Sequence, residues 1–168
     1  MTPSAPASLV VMGVAGCGKS TLAAAVAEQL GRHWLEGDLF HSEASRQKMA
    51  QGEPLTDDDR ASWLASLSEQ LCLRPGLIVT CSALKRAYRD QLRRASPGLR
   101  FAFLDIDKAE ARRRVSARAA HFFAASLVDS QFETLESPVG EAGVMRLDGM
   151  KSVDVLQGQV CNWLATPR

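Results

Sequence analysis

One eight-residue segment has the composition and spacing of a phosphate-binding loop. Residues 13–20 read G-V-A-G-C-G-K-S and match the Walker A pattern, G-x-x-x-x-G-K-[ST]. Its glycines allow successive backbone N–H groups to turn toward an anion, and a following helix would point its positive end at that anion. Lys19 can reach the β- and γ-phosphates, and the Ser20 hydroxyl can bind Mg²⁺. The predicted nucleotide contacts in this segment are Gly13, Val14, Ala15, Gly16, Cys17, Gly18, Lys19, Ser20 and Thr21.

A second polar group follows the next predicted strand along the chain. Asp38 and His41 lie two and five residues after the predicted strand at 33–36, and strand ends in a parallel sheet point toward the ligand crevice. A carboxylate beside a γ-phosphate can orient or deprotonate an attacking hydroxyl, and an imidazole can hydrogen-bond a substrate hydroxyl. The alternatives are a turn-capping aspartate and a surface-loop histidine. The preceding phosphate loop favours the catalytic interpretation of Asp38.

Two arginines late in the chain share one helix face. Arg114 and Arg118 are four residues apart, and arginines above a phosphate loop can neutralise charge on a transferring phosphoryl group. The alternative is an exposed arginine-rich helix, which suits Arg112 and Arg113 better. We therefore predict Arg114 and Arg118 as further nucleotide contacts. The residues predicted to be catalytic are Lys19, Asp38 and Arg118.

These groups must be positioned by strands that alternate with helices. Short apolar runs predict five strands, at 8–12, 33–36, 77–81, 100–105 and 143–148. Periodic segments predict helices at 19–30, 43–50, 83–95, 108–118 and 151–165. Thr56 and Asp59 resemble a capping box that opens another helix, which ends near Arg74. The alternation predicts an α/β domain with a parallel sheet.

The length and composition narrow the possible classes of protein. A chain of 168 residues that is 46% hydrophobic and 23% charged is typical of one globular domain and not of a disordered chain or coiled coil. We expect residues 1–168 to form that single domain, with residues 1–8 as a flexible tail and no secretory signal. No apolar run is long enough for a transmembrane helix. Four cysteines without CxxC or zinc spacing favour reduced thiols in the cytoplasm.

The charges are balanced overall but unevenly distributed. The net charge is +1, yet residues 85–118 carry eleven basic and four acidic side chains, and residues 36–59 carry seven acidic and two basic ones. Such a division of charge suits a cleft that holds polyphosphate. The alternative is that these charges lie on solvated helix faces and bind nothing. A nucleotide-dependent nucleic-acid binder would usually be more basic and would offer interleaved stacking aromatics. GTPase base-recognition motifs are absent, so the sequence favours a small-molecule kinase.

Between residues 9 and 138 a longer series of motifs follows a familiar order. They are Gly13 to Ser20, Gly37-Asp38 with His41, Lys48-Met49, Gly52, Pro54-Leu55, Asp57 to Arg60, Trp63, Cys81 to Lys85, Tyr88-Arg89-Asp90, Arg114, Arg118, His121-Phe122 and Gln131 to Glu136. With these motifs the chain resembles the gluconokinase family of small P-loop kinases. The resemblance implies ATP- and Mg²⁺-dependent phosphorylation of D-gluconate at its 6-hydroxyl. It also implies the fold of nucleoside monophosphate kinases and shikimate kinase: a five-stranded parallel sheet, a substrate-binding region near 38–75 and a mobile lid near 114–136.

A small polyol with a carboxylate needs cations and mixed hydrogen-bonding groups. Arg60, Lys85 and Arg89 are the candidate cations, with Arg60 preferred because a guanidinium binds carboxylate bidentately. The resemblance adds Gln131. The complete set of predicted substrate contacts is Asp38, His41, Arg60, Ser82, Lys85, Arg89 and Gln131. We expect no nucleic-acid or membrane partner, and a homodimer is possible.

Three features leave alternatives open. Ala119-Ala120 stands where the family usually has Lys-Gly, and residues 119–127 show no clear period, so we interpret them as a moving loop. Shikimate kinases usually have a Gly-rich segment where this chain has Cys81-Ser82-Ala83, and a degenerate interaction module would not need an intact Lys19. Cys17 occupies a variable position of the motif that any small residue fits. The alternative is a reactive thiolate, because Cys17 lies just before a helix N-terminus, where a thiol pKa is commonly lowered.

Overall fold

Five parallel strands form one sheet with the first strand at its centre. The computed structural model describes residues 4–118 and 125–167. The strands are β1 (Leu9–Met12), β2 (Trp34–Glu36), β3 (Ile78–Thr80), β4 (Arg100–Asp105) and β5 (Val144–Asp148), and their spatial order is β2-β3-β1-β4-β5. Every pairing between them is parallel. This order brings the carboxyl ends of β1, β2 and β3 together at one edge of the sheet.

Seven helices within the described residues connect and cover these strands. They are α1 (Lys19–Leu30), α2 (Glu43–Ala50), α3 (Asp57–Leu73), α4 (Arg86–Ala95), α5 (Lys108–Ser116), α6 (Ala125–Thr134) and α7 (Val153–Ala165). A short 3₁₀ turn, Gly37–Phe40, leads out of β2. α1 packs against α7, and α3 packs against α4. β1 and β3 are wholly buried apolar runs, as parallel strands covered on both faces should be.

The sequence predicted most of these elements to within one to three residues. The bounds of α1, α2 and β4 agree fully with the prediction. The capping box is also confirmed, because Thr56 accepts a hydrogen bond from the Asp59 N–H while the Asp59 carboxylate accepts one from the Thr56 N–H. Lys48 donates to the same carboxylate, and these bonds lower the pKa of Asp59 to about 2. The capping box therefore also ties α2 to α3.

Helix α6 corrects the prediction of a loop through residues 119–127. Residues 125–127 are its first turn, and Leu127 and Val128 are buried. Tertiary burial of these two side chains stabilises a helix whose own sequence gives only a weak period. The rest of the predicted loop, including Ala119, Ala120, His121 and Phe122, lies outside the described residues. The mobility proposed for the lid stays a prediction.

A close backbone contact fixes the turn that follows β2. The Gly37 N–H donates to the Thr80 hydroxyl at 2.9 Å, and the Trp63 indole donates to the Gly37 carbonyl at 2.8 Å. A Cβ at Gly37 would overlap the Thr80 carbonyl oxygen. A residue with a side chain would therefore force β2 and β3 apart at this point.

Replacing Gly37 by alanine should destabilise the fold by at least ~2 kcal/mol, the scale of overpacking against rigid backbone. The control is Gly158→Ala in α7, where a new Cβ meets no atom within 4 Å. That change should stabilise the helix by about 0.5–1 kcal/mol. Urea unfolding of both variants measures the difference in free energy of unfolding. A Gly37→Ala protein as stable as the wild type would show that the contact is not a constraint.

Candidate active site

The phosphate loop joins the buried strand β1 to α1 in the predicted arrangement. Gly13, Gly16 and Gly18 all have positive φ angles, which side-chain-bearing residues rarely adopt. The Lys19 ammonium donates to the carbonyl oxygens of Gly13 and Val14, both at 3.0 Å. The loop thus holds its own lysine at the mouth of the anion site.

A cleft extends from this loop across the carboxyl ends of β2 and β3. It brings together nine of the polar side chains predicted to act on nucleotide or substrate, which are Lys19, Ser20, Thr21, Asp38, His41, Arg60, Ser82, Arg118 and Gln131. Trp63, Met49, Leu55 and Leu127 form apolar parts of its wall. The cleft therefore offers cations, a carboxylate, hydroxyls and an amide within one partly apolar enclosure, as binding sites for small polar metabolites do.

His41 forms one wall of the cleft and is held by Trp63. The two rings stack with centroids 4.3 Å apart, and only 5% of the His41 side chain is exposed. Burial lowers the pKa of the His41 imidazole, which keeps the ring neutral at pH 7. Its Nε2 lies 3.9 Å from the Asp38 carboxylate, which is 58% exposed and faces the cleft. Asp38 is therefore free to contact a ligand, while His41 is fixed.

Arg60 provides a cation in a fixed position. Its Nη1 donates to the Leu55 carbonyl at 2.9 Å and lies 3.4 Å from the Tyr88 hydroxyl. The residue is 8% exposed and lines the cleft. A buried guanidinium whose one nitrogen is anchored presents its remaining N–H groups with little loss of rotamer freedom, which suits it to a carboxylate.

Glu36 is a cleft residue that the sequence analysis did not assign. It ends β2, and its carboxylate accepts hydrogen bonds from the hydroxyls of both Ser20 and Thr80. The Ser20 hydroxyl is thereby oriented with its proton toward Glu36 and its lone pairs available elsewhere. The signal in the sequence was the position of Glu36 at the strand end, two residues before Asp38.

The two predicted lid arginines have different surroundings. Arg114 donates to Glu110 at 2.9 Å and to the Gly149 carbonyl at 3.0 Å, and its Nη1 lies 3.5 Å from the Gly16 and Cys17 carbonyls. It lies beside the phosphate loop, outside the main cleft. Arg118 lines the cleft itself and is the last residue described before 119–124.

Comparison with known proteins identifies the family. Residues 9–138 match a family model described as an AAA domain. The chain is 46% identical over 155 residues to the gluconokinase of Gluconobacter oxydans. This alignment covers 90% of this chain and 87% of the relative. The chain belongs to the gluconokinase family. A crystal structure of a gluconokinase from Sinorhizobium meliloti superimposes with a TM-score of 0.88 at 43% identity, over 95% of this chain and 92% of that one.

The gluconokinase resemblance predicted from the sequence is thus confirmed, and so is its P-loop kinase fold. An APS kinase from Mycobacterium tuberculosis shares that fold at a TM-score of 0.71 and 21% identity, over 98% of this chain and 100% of that one. The gluconokinase relatives support the kinase interpretation over the two alternatives, which were a shikimate kinase and an interaction module without catalytic activity. In residues 4–118 and 125–167, no helix is both long and apolar enough to span a membrane.

Two of the predicted substrate cations do not line the cleft of this gluconokinase-family chain. Lys85 is paired with Asp57 at 2.9 Å. Arg89 is completely buried, and its guanidinium is bonded to Glu141 and to three backbone carbonyls, of Ala83, Leu84 and Glu136. The predicted role of Arg89 as a substrate contact is therefore corrected, because all three of its guanidinium nitrogens already donate to protein groups. It holds α4 to the segment before β5.

The reactive-thiolate hypothesis for Cys17 is wrong. The residue is 2% exposed, and burial raises the pKa of its thiol despite the nearby Lys19 ammonium. Its Sγ points into the protein beneath the loop, where a Cβ on Gly13 would come within 2.6 Å of it. The helix N-terminus that commonly activates a cysteine therefore does not do so here, because the side chain is on the core side of the loop.

Proposed function

We propose that the protein transfers the γ-phosphoryl group of ATP to the 6-hydroxyl of D-gluconate. The observation that supports this best is the single cleft in which Lys19 and Ser20 of the phosphate loop face Asp38, His41 and Arg60. The gluconokinase relatives supply the acceptor. We further propose a cytoplasmic location, since all four cysteines are free; a homodimer stays a prediction.

In this proposal the carboxylate end of gluconate lies at Arg60, and its 6-hydroxyl end lies at Asp38. Arg60 binds the carboxylate, because it is an anchored cation of the cleft that lies outside the phosphate loop. His41 and Ser82 hydrogen-bond the hydroxyls along the chain, and the neutral imidazole can donate from one nitrogen and accept at the other. The far hydroxyl then meets Asp38, which orients it and accepts its proton as the new P–O bond forms.

The phosphoryl side is served by cations and by a small set of oxygen ligands. Lys19 and Arg118 stabilise charge on the transferring group. The described residues contain no cluster of three or more His, Cys, Asp or Glu side chains suited to a metal. The Ser20 hydroxyl fits Mg²⁺, which binds through few protein oxygens plus phosphates, and the Glu36 carboxylate would orient that hydroxyl as its outer partner. When bound, Mg²⁺ supplies charge neutralisation at the phosphate oxygens.

The assignment of the acceptor can be tested directly. Coupled measurement of ADP release should show turnover with gluconate and far less with shikimate or a nucleoside monophosphate. The product of the gluconate reaction should carry its phosphate on C6, as phosphorus-coupled NMR can establish. No turnover with gluconate, or equal turnover with all three acceptors, would overturn the proposal.

Asp38→Asn should lower kcat at least ~10²-fold, the size of a general-base effect, while ATP affinity changes little. The control is Asp58→Asn, which removes an exposed carboxylate from the first turn of α3. Steady-state kinetics and thermal unfolding of both variants separate chemistry from folding. If Asp38 only shapes the turn, its variant will lose stability and keep its turnover per folded molecule.

Glu36→Gln should raise the Mg²⁺ concentration that gives half-maximal activity and lower kcat at least ~10-fold, since loss of an outer partner of a metal ligand commonly costs 10–100-fold. Glu28→Gln on the exposed face of α1 removes the same charge elsewhere and should do neither. Activity is measured against Mg²⁺ at constant ionic strength. If the dependence of activity on Mg²⁺ concentration is unchanged in Glu36→Gln, then Glu36 has no role in binding Mg²⁺.

A further inference from the structure

Helix α6 reaches the phosphate loop through one side chain. The Gln131 Oε1 accepts a hydrogen bond from the Ala15 N–H at 2.7 Å, across 116 residues of sequence. A backbone N–H can only donate, so the carbonyl end of the amide must be the end that faces Ala15. The NH₂ end of the same amide therefore points away from the loop backbone. Gln131 lines the cleft, where that NH₂ group can donate to a ligand.

The same face of α6 reaches the acceptor side of the cleft. Leu127 precedes Gln131 by one helical turn, so the two side chains share a face. Leu127 packs with Met49 and Leu55 in a small apolar cluster that is separate from the main core. Both of these partners belong to the region that follows Asp38. One helix face thus touches the acceptor region at Leu127 and the phosphate loop at Gln131.

We propose that Gln131 is a positioning residue for phosphoryl transfer, whose carbonyl fixes the phosphate loop at Ala15 and whose NH₂ group is thereby aimed at the reacting groups in the cleft. This deepens the proposed function and rests on it for the identity of the acceptor. It revises the sequence prediction, in which Gln131 was simply a substrate contact.

The two halves of the amide have separable roles. Without the carbonyl, the Ala15 N–H would turn to water and the loop backbone would lose a fixed partner on its cleft side. Without the NH₂ group, the loop would stay in place but an anionic oxygen in the cleft would lose a donor. Hydrogen bonds to charged groups are the stronger class, so loss of the donor should affect turnover.

Two substitutions test the halves separately. Gln131→Met has nearly the same volume and neither polar group, so the Ala15 amide should exchange with solvent at least ~10-fold faster, and kcat should fall at least ~10-fold. Gln131→Glu keeps an acceptor oxygen, so the Ala15 amide should remain protected while kcat stays low. Glu133→Gln, on the exposed side of α6, is the control and should match the wild type in both measurements.

Amide exchange followed by NMR in the ligand-free protein, kcat and KM for both substrates, and thermal unfolding form the complete set of measurements. Wild-type kcat in Gln131→Met or Gln131→Glu would overturn the proposal. So would unchanged Ala15 exchange in Gln131→Met, or a loss of activity that only follows the fraction unfolded. The exchange measurement needs no acceptor, so a wild-type enzyme inactive on gluconate would refute the proposed function and leave the Ala15 result intact.

Discussion

The contact between the backbones at Gly37 and Thr80 sets the geometry of the cleft wall where β2 and β3 end. It leaves no room for a Cβ at Gly37, and it brings the Thr80 hydroxyl between the Gly37 N–H and the Glu36 carboxylate. The Gly37 carbonyl in turn holds the indole of Trp63, on which His41 stacks. A chain of direct contacts therefore runs from the buried strand β3 to the Glu36 carboxylate and to the His41 imidazole. Separation of the two strands at this point would displace both groups together.

The basic segment at residues 85–118 shows why a local count of charge is a poor guide to a binding surface. Its most buried member, Arg89, forms an ion pair with Glu141 at 2.6 Å, and Arg93 joins the same carboxylate at 2.9 Å. Their hydrogen bonds lower the pKa of Glu141, so the pair remains charged at neutral pH. Glu141 lies outside the counted segment, and only the fold brings it there. A group that is desolvated in this way contributes to packing of α4 and attracts no distant anion.

The sequence was sufficient for elements and motifs whose signal is local. The Walker A pattern, the Thr56 capping box and the bounds of α1 all follow from spacing, because backbone geometry and helix ends depend on neighbours in sequence. Arg89 and Glu36 could not be assigned in the same way. An arginine four residues after Lys85 and a glutamate at a strand end look alike in sequence, whether they face a cleft or an internal partner. Their roles depend on which distant group meets them, and helix α6 was missed for the same reason, since its stability comes from burial.

The phosphate loop is supported from two sides before any ligand binds. Beneath it, the Cys17 side chain is buried in the main core and fills the space that Gly13 leaves open. On the cleft side, Gln131 holds the Ala15 N–H. Lys19 is held as well, because its ammonium donates to two loop carbonyls. A bound phosphate can take the place of these carbonyls as the partner of the ammonium. A loop whose backbone is already in place needs little rearrangement when charge develops on a phosphoryl group. Such preorganised donors stabilise the transition state without a free-energy cost of reorganisation. The Walker A pattern allows any residue at the position of Cys17, but the core beneath the loop limits the size of the side chain there.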